Sequence, residues 1–165
     1  MLLQIASLSL VALLLFGAFT DATRFTIPNW LTIIIALLFP VAALLAGFGW
    51  AEAGNHLLAG LLALVLGMAL FAPGWVGGGD AKLFAATALW FGWPGLAVFL
   101  IHTVLVGGVL VLVLVIARKA LPMTGISPEK LAGSALAPAA PVPYGIAIAG
   151  GAMWSLPATV FAIQF

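Results

Sequence analysis

Polar residues are so sparse in this chain that they act as punctuation between apolar runs. A helix crossing a bilayer needs roughly 20 mostly apolar residues, and five runs approach that length: Leu3–Phe19, Trp30–Phe48, His56–Phe71, Gly95–Ala117 and Tyr144–Phe165. A shorter apolar piece, Lys82–Trp93, ends in the turn signal Trp93-Pro94-Gly95 and reads as a sixth span between the third and fourth of these. The pattern predicts an all-α polytopic membrane protein of about six transmembrane helices. Residues 1–165 form a single domain, with no internal repeat and no linker long enough to divide it.

Charge sets a direction on that pattern. Arg24 follows the first span, Lys82 opens the fourth, and Arg118, Lys119 and Lys130 lie between the fifth and sixth. With six alternating spans these regions share one side, while the loops Gly49–Asn55 and Trp93–Gly95 carry no basic residue. The excess of Lys and Arg on cytoplasmic loops therefore places all five basic residues in the cytoplasm and both termini outside. Composition agrees. The chain is 65% hydrophobic and 5% charged, with mean hydropathy +1.34, which no water-soluble surface allows. Five basic residues make no nucleic-acid footprint. The absence of cysteine removes disulfides, thiolate nucleophiles and cysteine-bound zinc.

The acids fall into place on this frame. Glu52 lies on the far side and Glu129 in the long cytoplasmic loop, whose Leu131–Gly145 stretch reads as extended. The two aspartates, Asp21 closing the first span and Asp80 opening the fourth, sit at one depth on the cytoplasmic boundary. Ionisable groups at membrane depth are costly and usually functional. Two carboxylates sharing a site hold one proton between them. That suits amide hydrolysis, with one carboxylate deprotonating water while the other protonates the carbonyl oxygen. Pro28 ends any continuation of the first helix, and Asn29 is placed to cap the second. Gly77, Gly78 and Gly79 lack side chains and can adopt positive φ, so a backbone can approach closely beside Asp80.

These residues also have plainer readings. Asp80 is a suitable helix cap, Asp21 an interfacial acid with Arg24 as an exposed partner, and Lys82 and Arg24 topological anchors. GGGD lacks the GK[ST] ending of a phosphate loop. His56 and His102 lie towards the face opposite the aspartates, where nothing completes a metal site, and read as structural. Gly107-Gly108 reads as helix packing, and Trp50, Trp75, Trp90 and Trp93 as interfacial anchors.

Asp21 followed by Ile27-Pro28-Asn29, then Gly77-Gly78-Gly79-Asp80 with Lys82, resembles the type IV prepilin peptidases, aspartic enzymes of the GxGD kind. Pro143-Tyr144-Gly145, opening the last span, also looks like the family pattern. The resemblance implies Asp21 and Asp80 as the catalytic pair, with Gly77–Gly79, Lys82, Pro28-Asn29 and Pro143-Tyr144-Gly145 shaping the site. It implies a prepilin or pseudopilin precursor as substrate, cut at the cytoplasmic face of the bacterial inner membrane. The bifunctional members carry paired CxxC motifs and methylate the new amino terminus. This cysteine-free chain resembles the short, peptidase-only form of tight-adherence (Flp) pilus systems, for which no cofactor, metal or S-adenosylmethionine is expected. Archaeal preflagellin peptidases are similar too. Presenilin-type peptidases share GxGD but usually pair it with Tyr-Asp, where Thr20 stands here. Outside the peptidases, an ion or proton pathway would need polar residues across the bilayer, and the second, third and fifth spans offer only Thr32, Thr103 and His102 in their interiors. An inactive pilus-assembly scaffold is the remaining alternative.

Overall fold

The computed structural model describes residues 1–121, 131, 133–137 and 140–163. Six α-helices follow one another, α1 Leu2–Arg24, α2 Asn29–Leu45, α3 Trp50–Phe71, α4 Gly78–Ala88, α5 Gly92–Ala120 and α6 Tyr144–Ser155, and a 3₁₀ turn Leu156–Ala158 closes the series. The described residues form no strand, so the all-α class stands. Each of the six apolar runs yields a helix, but their lengths differ from the sequence reading. α1, α3 and α5 are long and apolar enough to cross a membrane. α4, with 11 residues, and α6, with 12, reach only about 16–18 Å at 1.5 Å per residue.

The reasons for the differences are local. α3 starts at Trp50 rather than His56, because the Glu52 carboxylate accepts the Gly49 N–H at 3.1 Å and caps the first turn. α4 begins at Gly78, four residues before Lys82, and ends at Ala88. The reversal expected at Trp93-Pro94-Gly95 falls earlier, over Leu89–Phe91, with Gly92 at φ 63°. Pro94 then sits in the first turn of α5, where its missing N–H breaks no helical bond. α6 stops at Ser155 instead of running to Phe165, and residues 164 and 165 lie outside the described residues. The Leu131–Gly145 stretch, where described, is not extended up to Ala140. It folds into turns, and Arg118 donates from Nε and Nη2 to the Ala135 carbonyl and from Nη2 to that of Ala140, at 3.1, 2.8 and 2.8 Å. Glu129 and Lys130 lie outside the described residues.

The two short helices form the centre. α4 packs mainly on α3 and α2, and α6 on α5 and α1. Their buried faces are mostly small, with Ala81, Ala85, Ala86 and Ala88 in α4 and Gly145, Ala147, Ala149, Gly151 and Ala152 in α6. Small residues allow helix backbones to approach closely where no water drives burial. Around them, α1, α2, α3 and α5 present exposed leucines, isoleucines and valines such as Leu37, Leu61, Val104 and Val109. An exterior this apolar is what a lipid environment requires.

The end of the bundle where α3 begins is closed by aromatic packing. Phe39, Phe48 and Phe161 surround His56, whose Nδ1 donates to the Leu89 carbonyl at 2.6 Å, and Trp90 packs on Phe39 and Phe161. Trp90 is fully buried and donates from Nε1 to the Ile35 carbonyl. It is therefore a core residue and not an interfacial anchor, unlike the exposed Trp50, Trp75 and Trp93. His102 stacks on Trp154 and donates to Ser155 Oγ at 2.7 Å. Both histidines thus have structural partners.

Glycine positions separate packing from tolerance. A Cβ on Gly67 would lie 2.9 Å from the Cβ of Ala81, whereas one on Gly108 would meet nothing within 4 Å. Gly67→Leu should force α3 off α4 and lower the thermal unfolding midpoint in detergent. Gly108→Ala should leave it unchanged or raise it, by about 0.5–1 kcal/mol of stability, since alanine costs less conformational entropy in a helix. Equal effects from the two would contradict this packing.

Candidate active site

Asp21 lies one turn before the end of α1 and is buried, with 6% relative exposure. The helix stops beyond it in a left-handed residue, Phe25, at φ 52° and ψ 33°, whose N–H bonds the Asp21 carbonyl at 2.9 Å. That conformation costs a residue with a Cβ roughly 1–2 kcal/mol, and it turns the chain at once into the extended Thr26-Ile27-Pro28. The partner of the Asp21 side chain is not Arg24. Oδ2 accepts the backbone N–H of Gly145 at 2.7 Å, in the first turn of α6, where helical N–H groups have no carbonyl of their own. The positive end of the helix dipole adds to this bond. Glycine lets the two approach this closely, because a Cβ there would sit 3.0 Å from both Cβ and Oδ2 of Asp21 and crowd the bond.

Asp80 stands in the first turn of α4. Its helix cap is Gly77, with Gly78 and Gly79 as the first two helical residues, so the reading of Asp80 as the cap itself is corrected: the cap lies three residues earlier. None of the three glycines has positive φ; their missing Cβ atoms are what the site uses. A Cβ on Gly79 would come within 3.2 Å of the Ile27 Cβ, one on Gly78 within 3.2 Å of the Phe71 ring, and one on Gly77 within 2.7 Å of Asp80 Oδ2. The backbone that approaches Gly79 is that of Ile27, from the connection after α1.

Asn29 does not cap α2. It is the first helical residue after Pro28, and its Oδ1 accepts from Lys82 Nζ at 3.1 Å. Lys82 therefore ties the start of α2 to α4. Asp21 and Asp80 line one cavity of 250 Å³, together with Phe25, Thr26, Ile27, Asn29 and Gly77–Gly79. Pro28, Lys82, Pro143, Tyr144 and Gly145 stand outside its lining and act on it through neighbours: Pro28 and Pro143 as helix starts, Gly145 through Asp21, Lys82 through Asn29. Phe25 and Thr26 were not singled out in the sequence, since nothing in a phenylalanine signals a left-handed turn.

The electrostatics match a pair. Burial pushes the Asp80 carboxyl up to about 7, the nearby Asp21 charge pushes the same way, and the Gly77 N–H pulls it down. Asp80 Oδ1 is buried with no hydrogen-bond partner. An acceptor oxygen left bare and a proton held near neutrality suit a carboxyl that gives and takes a proton.

A sequence model described as the type IV leader peptidase family matches residues 8–112. The match spans Asp21, Pro28-Asn29 and Gly77–Lys82, and Pro143–Gly145 lies beyond it. Comparison with curated proteins and with solved structures gives no match.

Folding raises the Asp80 pKa from 3.8 to about 7, so across that window the folded chain binds more protons than the unfolded one. Stability from this group falls as pH rises through the window and is flat above it. Asp80→Asn removes that penalty. It should melt higher than the parent at about pH 8, an advantage that shrinks on acidification and is gone by about pH 4. A midpoint at or below the parent's at the higher pH would contradict a destabilising, buried Asp80 charge.

Proposed function

The chain belongs to the type IV leader peptidase family, and on that footing we propose that it is a membrane-embedded aspartic endopeptidase that removes the leader of a prepilin-like precursor. The observation that carries the aspartic assignment is the shared cavity, in which the two aspartates of the chain meet from α1 and α4. The site lies at the bundle end that bears Arg24, Lys82 and Arg118. By the positive-inside rule that end is cytoplasmic, in a bacterial inner membrane. On this reading six helical elements cross or enter the bilayer, both termini face out, and α4 and α6 do so as short helices sheathed by the others.

Asp21 acts as the carboxylate and Asp80 carries the proton. Asp21 Oδ2 already accepts a backbone N–H at a helix start, whereas Asp80 Oδ1 has no hydrogen-bond partner, and on that difference the shared proton is assigned to Asp80. A water between the two carboxyls gives a proton to Asp21 as its oxygen attacks the scissile carbonyl carbon. Asp80 gives its proton to the carbonyl oxygen, producing a neutral tetrahedral diol. Asp21 then passes its proton to the amide nitrogen, the C–N bond breaks, and a diol hydroxyl returns a proton to Asp80. No covalent adduct and no cofactor enters. The absence of cysteine from residues 1–165 favours the tight-adherence pilus system as the context.

A pilin precursor co-expressed with the parent protein should lose its leader on a gel. Asp21→Asn and Asp80→Asn, which keep side-chain shape, should each abolish the cut, roughly a thousandfold or more, while still accumulating in the membrane. Gly145→Ala should slow it at least about tenfold by pushing the N–H off Asp21. Normal processing by either asparagine variant would remove that aspartate from the chemistry.

A further inference from the structure

Asparagine at a helix start ordinarily caps it, its side-chain oxygen accepting an N–H of the first turn. Asn29 is at a helix start and does not do this. It stands one residue inside α2, after the cap residue Pro28 at φ −63° and ψ 137°, and no side-chain capping bond is made. Its amide is engaged elsewhere. It lines the 250 Å³ cavity together with both aspartates, and its Oδ1 accepts from Lys82 Nζ at 3.1 Å.

The Lys82 bond decides which end of that amide is left over. An ammonium has three donors and no acceptor, so it pairs only with the oxygen. The free end is then Nδ2, with two N–H donors, and among the described residues it has no acceptor. Both side chains are exposed, so the bond adds little stability. What it sets is direction. The rest of the cavity lining is poor in side-chain donors. Asp21 and Asp80 hold one proton between them, Phe25 and Ile27 are apolar, and Gly77–Gly79 have no side chain. The Gly77 N–H is already taken by the Asp80 carboxyl. Thr26 brings a hydroxyl, which can donate or accept, and Asn29 brings the one side-chain amide.

A peptide entering this cavity has the complementary need. Each residue beside the cleaved bond brings a main-chain carbonyl that loses water on entry and must be paired there. We infer that Asn29 Nδ2 donates to a main-chain carbonyl of the substrate next to the one that is cut, and that Lys82 is a positioning residue that holds the amide in that sense. The inference rests on the peptidase reading of the Asp21–Asp80 cavity. The scissile carbonyl itself takes the Asp80 proton, so the amide serves its neighbour. A main-chain acceptor fits better than a side chain, because the three glycines of the lining leave room at backbone distance and shape no pocket.

Variants of the full-length protein in detergent test this with a pilin precursor. Asn29→Asp keeps the shape and the oxygen for Lys82 but removes the donors, and should not lower the melting midpoint. Asn29→Leu removes oxygen and donors together without adding charge. Each should raise KM on the order of 5- to 10-fold, the worth of one neutral hydrogen bond, with kcat unchanged in Asn29→Leu. In the Asp80→Asn background, the Kd for uncut precursor should weaken by the same factor. Lys82→Met leaves the donors in place but unaimed. Its rise in KM should be smaller than that of Asn29→Asp, and combining the two should add nothing. A parent KM in Asn29→Asp, or a loss confined to kcat in Asn29→Leu, reduces the pair to a tie between α2 and α4 and overturns the inference. A further rise in the double variant overturns the positioning role of Lys82. Precursors with single alanine replacements beside the cut should all keep the factor between parent and Asn29→Asp; one that erases it overturns the main-chain pairing. Cleavage that persists in Asp80→Asn overturns the peptidase reading itself, an outcome distinct from all of these.

Discussion

A carboxylate buried at the end of an apolar helix needs a donor, and the start of α6 supplies it. The 2.7 Å bond from the Gly145 N–H to Asp21 Oδ2 joins the first helix to the last, and much of the architecture serves that contact. α6 must end its approach at α1, so its start is fixed by buried Pro143. The turns before it are gripped by the Arg118 guanidinium from the far end of α5. Gly107 of α5, Gly145 and Gly151 of α6 let the three helices close without a side chain between them. A basic residue that the charge pattern accounts for as a topological marker thus also holds the segment that delivers the donor.

The other half of the site is assembled by a second close approach. The left-handed Phe25 throws the chain from Asp21 across α4, and Ile27 lands on Gly79. Lys82 and Asn29 bridge the same two segments. Asp80 is then held near Asp21 by connections on both sides of it, which is why its carboxyl feels both burial and a neighbouring negative charge. The two short helices that bear these contacts are enclosed, so the polar cavity is sheltered from lipid by the longer helices. Function and burial are reconciled by putting the polar residues at one end of short helices rather than midway along a full span.

Much of this was legible in the residues. The six apolar runs, the all-α class, and the pairing of Asp21 with the Gly77–Asp80 loop follow from where polar residues interrupt hydrophobic ones. Helix limits were less legible, because Glu52 capping, Gly92 at positive φ and the early end of α6 depend on tertiary fit that hydropathy does not encode. Trp90 shows the same limit: an aromatic near a span end reads as an anchor, and only the neighbouring Phe39 and Phe161 reveal it as core. The glycine loop was read correctly as a place of close approach. The guest that occupies it in the fold is the chain's own Ile27, and the missing Cβ rather than positive φ makes the room.

The central claim is that Asp21 and Asp80 work as one acid–base pair with a single proton, carried on Asp80. Its consequence has a definite sign. The productive form is lost as pH rises through the Asp80 value of about 7. The measurement is kcat/KM for leader removal between about pH 6 and about pH 9, with precursor well below KM, which reads the ionisation of the free enzyme. The account predicts a value that falls about tenfold per pH unit above the break near 7. A value that stays constant over the whole range would contradict it.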